Sequence, residues 1–449
     1  MASAPASIHV FARWRPLGES QAGPVQYSTT GSDAAPTSLL AVSVQGPTDE
    51  APGRGGGRRG RAAWTSPPAY RRVFGPGDDN GRVADEVVAP SIPKLLRGES
   101  CSVFAYGHSG SGKTHTILGY DFGHRRRLGL SLAAARDLFD ALARDRLLPD
   151  VGVGLSLFEL RNRSALDLLG GRAECHVRQG PDGRVHVRGE TELLDGDRVR
   201  VRPVVQEPCW SFDALRRRLV QAVGGRAVGS SGVHDQSSRT HAVLELELVS
   251  RPLVDARCAL VDRQSELVPV GKRATDVSIE EQTKALVRTP DGGWAPNPDY
   301  PVPDQARIDA AEADKARFEE RVRAAEREVR AVLAASPHAC LGAKMLFVDL
   351  AGAEYQQAEA RAQSAQERQE GRQINTDLLA LKEVMRAWAR GQPRIPFRSS
   401  ALTMVLREHF LSAHKGNSSV IVTASSAPDD YAGTLNALKY GSLIGSSTA

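Results

Sequence analysis

Cysteine is scarce and scattered. The five thiols, Cys101, Cys175, Cys209, Cys258 and Cys340, are odd in number and form no CxxC pair. That excludes a disulfide framework or a cysteine zinc site and predicts free thiols in a reducing compartment. No stretch approaches the ~18 uncharged apolar residues of a membrane span. The N-terminus "MASAPASIHVFARWRP" lacks the charged-then-apolar pattern of a secretory signal. Charge of one sign is not in large excess either. A net charge of +5 suits an acidic polymer partner without identifying one.

What is present is a 449-residue chain, 41% apolar and 25% charged. That is soluble, globular and large enough for a sizeable core, and it is expected as one domain over 1–449. Strands are predicted at 8–14, 70–75, 101–107, 152–162, 183–190, 240–250, 343–352 and 418–425. Helices are predicted at 81–97, from Lys113, and at 131–145, 211–223, 372–390, 399–412 and 430–441. Strands alternating with helices argue for an α/β sheet covered on both faces. Residues 20–68, rich in Gly, Pro and Ser and holding "GRGGGRRGR", read as a disordered surface loop. Residues 251–303 are polar, Pro-rich and show little period. In 304–335, Ile308, Ala311, Lys315, Phe318, Val322, Ala325, Val329 and Val332 recur at spacings of three and four, a heptad seam with one charged position.

Three segments carry chemistry. "GHSGSGKTHT" (107–116) follows a predicted strand and opens a helix, the context a phosphate-binding loop requires. Its glycines let backbone N–H groups turn onto phosphate oxygens, Lys113 offers a point charge to the outer phosphates, and the Thr114 hydroxyl suits Mg²⁺. "MLFVDLAGAE" ends a buried strand at Asp349, where a carboxylate needs compensation by a metal-bound water or the Thr114 hydroxyl. Gly352 is a candidate N–H donor to a γ-phosphate. "HDQSSRTH" (234–241) puts two serines and Arg239 before a strand. One serine is a candidate Mg²⁺ ligand, and Arg239 a candidate partner of Glu354.

In this order the three segments resemble the kinesin motor domain. That family shows GQTGSGKT, NxxSSRSH and DLAGSE where this chain has GHSGSGKT, HDQSSRTH and DLAGAE. "ARWRP", "YRRVFGP", "SVFAYG", "LSLFELRNRSALDLL", "INTDLLALKEVMRA" (family INKSLxALxxVIxAL), "IPFRSSALTMVLREHF" and "TLNALKYG" extend the likeness over most of 8–250 and 343–441. The resemblance implies a kinesin-like P-loop NTPase fold, with a central mixed, mostly parallel sheet and a long, partly helical insertion at 251–342. It implies ATP and Mg²⁺ as ligands. Arg13, Arg15, Pro16 and His115 would hold the adenine. Gly107, His108, Ser109, Gly110, Ser111, Gly112, Lys113 and Thr114 would hold the phosphates. Thr114, Ser238 and, through water, Asp349 would surround Mg²⁺. Arg239 and Glu354 would form a salt bridge between the two switch loops, and Ser237 would help position the attacking water. Asn375 matches the asparagine that opens the next helix, and about 372–412 would face the microtubule.

The chain departs from the pattern at His234, Ala353 and Ala401, and in a longer 411–419. The implied activity is a microtubule-stimulated ATP hydrolase of the cytoplasmic cytoskeleton, with no DNA partner. "LLALKEV", "LTMVLREHF" and "ECHVRQGPDGRVHVRG" lean towards the kinesins that depolymerise microtubule ends. Two other readings stay open: a pseudo-motor that binds microtubules or a partner without useful turnover, and a P-loop switch of another lineage. The 304–335 helix either folds back on its own chain or serves self-association or a partner.

Overall fold

The computed structural model describes residues 7–16, 25–31, 38–46, 63–161, 164–180, 183–194, 198–228, 239–300, 302–353, 365–412 and 416–446. The chain divides into two compact units. One comprises Met1–Val187, Val204–Leu248 and Ala339–Ala449; the other comprises Arg188–Pro203 and Val249–His338.

The first unit is built on an eleven-stranded sheet. Its strands are β1 (Ser7–Trp14), β2 (Arg72–Phe74), β3 (Cys101–Tyr106), β4 (Gly152–Arg161), β5 (Ser164–Asp167), β6 (Ala173–Gln179), β7 (Val185–Gly189), β8 (Glu207–Cys209), β9 (His241–Val249), β10 (Lys344–Asp349) and β11 (Asn417–Ala424). They run in the order β7-β6-β5-β4-β9-β10-β3-β11-β1-β2, with β8 also paired to β4. The run β10-β3-β11-β1-β2 is parallel, while β9 joins β10 antiparallel. All six residues of β3 are buried, as expected of a central parallel strand covered on both faces. Alternation sends Val103 and Ala105 to one core with Val83, Leu138 and Leu215, and Phe104 and Tyr106 to the other with Leu381, Leu406 and Leu438.

The first core is covered by α1 (Asn80–Val87), α2 (Ile92–Leu96), α4 (Leu130–Arg144) and α5 (Phe212–Val228). The second is covered by α8 (Ala365–Ala389), α9 (Ala401–Ser412) and α10 (Tyr431–Gly445). Short α3 (Lys113–Ile117) follows β3. Truncating a fully buried side chain such as Leu138 to alanine costs roughly 2–5 kcal/mol.

Part of the expected 20–68 loop is a three-stranded antiparallel sheet: Gln26–Thr30, Ala41–Gln45 and Trp64–Thr65. Leu40, Ala41, Val42 and Val44 are buried there, a short apolar run that the surrounding Gly and Pro hide in a composition-based reading. The arginine-rich 53–61 lies outside the described residues.

The second unit corrects the reading of 251–303. Arg251–Lys284 is one helix, α6, and Gln305–Ala335 returns along it as α7. Ser250 caps α6 by accepting from the Leu253 N–H, and Pro252 falls in the first turn, where its missing N–H costs nothing. Pro269 sits inside the helix and removes one bond, so neither period nor propensity announces α6. The heptad seam of α7 is half-buried against α6, with cross-links from Arg307 to Glu280 and Arg321 to Glu266. Among the described residues, no helix is long and apolar enough to cross a membrane.

Candidate nucleotide site

The site forms where β3, β10 and β11 end together. β3 runs into Gly107–Gly112, and α3 begins at Lys113. Gly110 and Gly112 hold φ of 74° and 101°, left-handed values that disfavour other residues. A Cβ on Gly107 would lie 2.4 Å from Thr423 Oγ1 on β11, so the loop is pressed against that strand. Ser111 Oγ donates to the His108 carbonyl at 2.8 Å and meets Thr423 Oγ1 at 2.7 Å.

Lys113 curls into this loop. Its buried Nζ donates to the carbonyls of Gly107 (3.1 Å) and His108 (2.7 Å). Burial pulls its pKa down to about 8, against the opposing pull of Asp349. The next residue reaches β10: Thr114 Oγ1 donates to Asp349 Oδ2 at 2.6 Å. Asp349 is the last residue of β10 and sits in register with Ala105 of β3. The Ala353 N–H donates to the Gly107 carbonyl at 3.1 Å, and a Cβ on Gly352 would lie 2.8 Å from Ser109 N. The two loops are therefore in backbone contact, and a cation, a hydroxyl, a carboxylate and close-packed glycine backbone share one place. That donor set fits a nucleoside triphosphate with a hard divalent cation: oxygen ligands for the metal, N–H groups and an ammonium for the phosphates.

The residues expected at the base flank this loop. Arg13 is buried, donates to Thr116 Oγ1 at 2.8 Å, and is lowered to about 10 by burial. Arg15 donates to the Gly110 carbonyl (2.6 Å), Ser425 Oγ (3.1 Å) and Asp430 Oδ2 (3.3 Å). Pro16 and His115 are exposed, and the His115 ring lies 6.0 Å from Tyr120. His108 packs on α10: its Nε2 is 3.4 Å from Thr434 Oγ1, and burial lowers its pKa.

Kinesin motor domain is the family whose pattern matches residues 58–269 and 322–446. The chain belongs to that family. Among its relatives, kinesin-like protein KIN-13A of Oryza sativa subsp. japonica is 28% identical over 371 residues, 81% of this chain and 33% of the relative. Kinesin-like protein KIF24 of Mus musculus is 25% identical over 377 residues, 84% of this chain and 20% of the relative. The chain thus spans a fifth to a third of the length of these curated relatives. The fold is similar to the solved motor domain of Kar3 from Saccharomyces cerevisiae, with TM-score 0.59 and 18% identity over 98% of this chain and 99% of that one. It is also similar to the Kar3-like motor domain from Ashbya gossypii, with TM-score 0.57 and 17% identity over 97% and 99%.

Within this kinesin frame, three expected residues, Ser237, Ser238 and Glu354, lie outside the described residues, as does His234. Arg239 lies just before β9, with Nη1 3.6 Å from Glu370 Oε2 on α8. Glu370 also takes the Arg161 guanidinium. Asn375 does not open its helix: α8 already runs from Ala365, so Asn375 lies about three turns in, exposed. The helical pattern simply extends further towards the N-terminus than its apolar residues advertise. Glu370, Thr423, Asp430 and His241 were missed as site neighbours. Only proximity to the SSR and INTD motifs hinted at His241 and Glu370; the other two are brought in by the sheet and α10.

Proposed function

We propose that this kinesin-family chain is a motor ATPase that binds Mg²⁺–ATP and is stimulated by microtubules. The observation that supports the reading is the meeting of Lys113, Thr114 and Asp349 at the mouth of the loop, with Gly352 packed on Ser109. Lys113 exchanges two carbonyl partners for phosphate oxygens. Thr114 and Asp349 would hold the metal, the hydroxyl offering its lone pair while its O–H still donates to the carboxylate. When bound, Mg²⁺ would draw charge from the β- and γ-phosphate oxygens. Gly352 donates its N–H to the γ-phosphate. Following the family pattern, Ser237 would orient the attacking water, Ser238 would help hold the metal, and Arg239 with Glu354 would close the two switches. Arg13, Arg15, Pro16 and His115 border the base.

Hydrolysis relaxes the Gly352 segment, and α8 carries that motion to the track. Exposed Arg390, Arg394 and Arg398 between α8 and α9 give the 372–412 face the positive charge an acidic filament attracts. The segments "LLALKEV" and "LTMVLREHF" lean towards remodelling of microtubule ends, and the likeness to KIN-13A is compatible with that. The activity belongs on the cytoskeleton.

The test is phosphate release at saturating ATP against microtubule concentration, with Lys113→Ala as control. A saturable rise that Lys113→Ala abolishes is expected. Tight pelleting without stimulated release would replace this reading with that of a microtubule-binding pseudo-motor.

A further inference from the structure

His241 and Asp377 face each other in the second core. His241 opens β9, directly after the Arg239–Thr240 turn, and Asp377 lies on α8. Both side chains are buried, 4% and 5% exposed, with His241 Nε2 3.8 Å from Asp377 Oδ2. The other ring nitrogen is engaged: Nδ1 accepts the Ala351 N–H at 3.1 Å. Ala351 immediately precedes Gly352, the residue whose backbone packs on the phosphate loop.

This geometry fixes the imidazole chemically. A nitrogen that accepts an N–H must present its lone pair, so the ring hydrogen sits on Nε2. The opposite tautomer, or an imidazolium, would set two N–H groups against each other and release Ala351. Among the described residues the buried Nε2 atom has no hydrogen-bond partner, and the Asp377 carboxylate lies 3.8 Å from it. Asp377 is itself oriented, since its Oδ1 accepts from Gln373 Nε2 at 3.0 Å on the preceding turn of α8. The family pattern INKSL has serine where INTDL has Asp377. A serine hydroxyl is shorter and uncharged, so this carboxylate is a feature of the present chain.

We propose that Asp377 is a positioning residue for the nucleotide site: its carboxylate holds His241 as the Nε2–H tautomer, so that Nδ1 keeps the Ala351 N–H and sets the backbone leading into Gly352. An approach of α8 by about 1 Å converts the 3.8 Å separation into a hydrogen bond and ties that backbone to the track-facing helix. The inference rests on the function proposed above.

The experiment compares wild type with Asp377→Ala, Asp377→Asn and Asp377→Ser in the full chain. It measures kcat and KM for ATP and the ¹⁵N signals of histidine-labelled protein, with His241 assigned by its loss in His241→Asn. Asp377→Ala and Asp377→Ser should lower kcat on the order of tenfold with KM within about twofold, the size seen when a group supporting a site residue is lost. Their His241 signals should leave the Nε2–H pattern. Asp377→Asn, which keeps an acceptor, should hold that pattern and recover most of kcat. Unchanged His241 signals in both Asp377→Ala and Asp377→Ser overturn the inference, as does loss of kcat that Asp377→Asn fails to recover. The nitrogen signals need no turnover. A wild type that hydrolyses nothing would therefore remove the proposed function while the tautomer is still read.

Discussion

Thr114 Oγ1 donates to Asp349 Oδ2 at 2.6 Å, and this bond joins the helix after the phosphate loop to the end of β10. It brings together the two residues assigned to the metal. The Thr114 oxygen keeps its lone pairs for a cation while its O–H still donates to Asp349. Asp349→Asn keeps the shape but removes the charge that would hold the ion. Nucleotide affinity measured with and without a chelator should show a strong magnesium requirement in wild type. The variant should lose most of that requirement, and its turnover should fall by more than about 100-fold, as expected where electrostatic stabilisation dominates phosphoryl transfer. Equal chelator sensitivity in the two proteins would remove Asp349 from the metal site.

The contact between Gly352 and Ser109 sets the second prediction. A methyl at residue 352 would lie 2.8 Å from Ser109 N and 3.0 Å from its Cα, both backbone atoms that cannot swing aside. Gly352→Ala should therefore push the two loops apart. Nucleotide binding through Lys113 and the phosphate loop should survive within about tenfold, while turnover falls by on the order of 100-fold, the scale of a 1 Å misplacement. Glu354→Ala should share that pattern, because it removes the partner of Arg239 that the family resemblance implies. Unaltered steady-state hydrolysis in Glu354→Ala would end the salt-bridge role.

The site and its frame were legible to different degrees. The phosphate loop and Asp349 could be read because each combines a local motif with a buried strand, and strand burial is written in consecutive apolar residues such as "SVFAY" and "MLFV". The partners of Arg239 and His241 were not legible. Glu370 reaches Arg239, and Asp377 comes within 3.8 Å of His241, because α8 passes the start of β9; no spacing along the chain encodes that. The α6 helix was hidden for another reason. Its stability comes from α7 lying along it, so its own sequence carries two prolines and a weak period.

Glu281 gives the second unit a pH dependence. Its carboxylate caps the turn between α6 and α7, accepting from Tyr300 Oη at 2.5 Å, the Asp304 N–H at 3.2 Å and Arg307. The Tyr300 hydrogen bond leads in holding its pKa down to about 2, with the Asp304 and Arg307 bonds adding to it. A carboxylate with a depressed folded pKa stabilises at pH above its ordinary unfolded value, near 4.5. That contribution drains away as pH falls from there through about 2. Amide exchange in α6 and α7 of the full chain should accelerate over this window. Glu281→Gln should exchange faster at neutral pH and lose much of the dependence. An identical profile in the variant would show that other carboxylates control the hairpin.

The last prediction follows from how the chain leaves and re-enters the sheet. The Leu248 N–H donates to the Ala343 carbonyl at 3.0 Å, and the Gly342 N–H returns to the Leu248 carbonyl at 2.8 Å. The end of β9 and the approach to β10 are thus already paired as an antiparallel hairpin, so a turn of a few residues can replace everything between them. Loop-closure entropy favours the exchange, since it grows with the logarithm of loop length. Replacing 251–338 with a Gly- and Asn-containing turn should give a soluble protein that retains nucleotide-dependent stabilisation and phosphate release. Release should stay within about threefold of the full chain if the hairpin takes no part in turnover, a difference of less than about 1 kcal/mol. An insoluble product would make α6 and α7 part of the folding core. A soluble product that binds ATP but no longer responds to microtubules would assign the hairpin to the track.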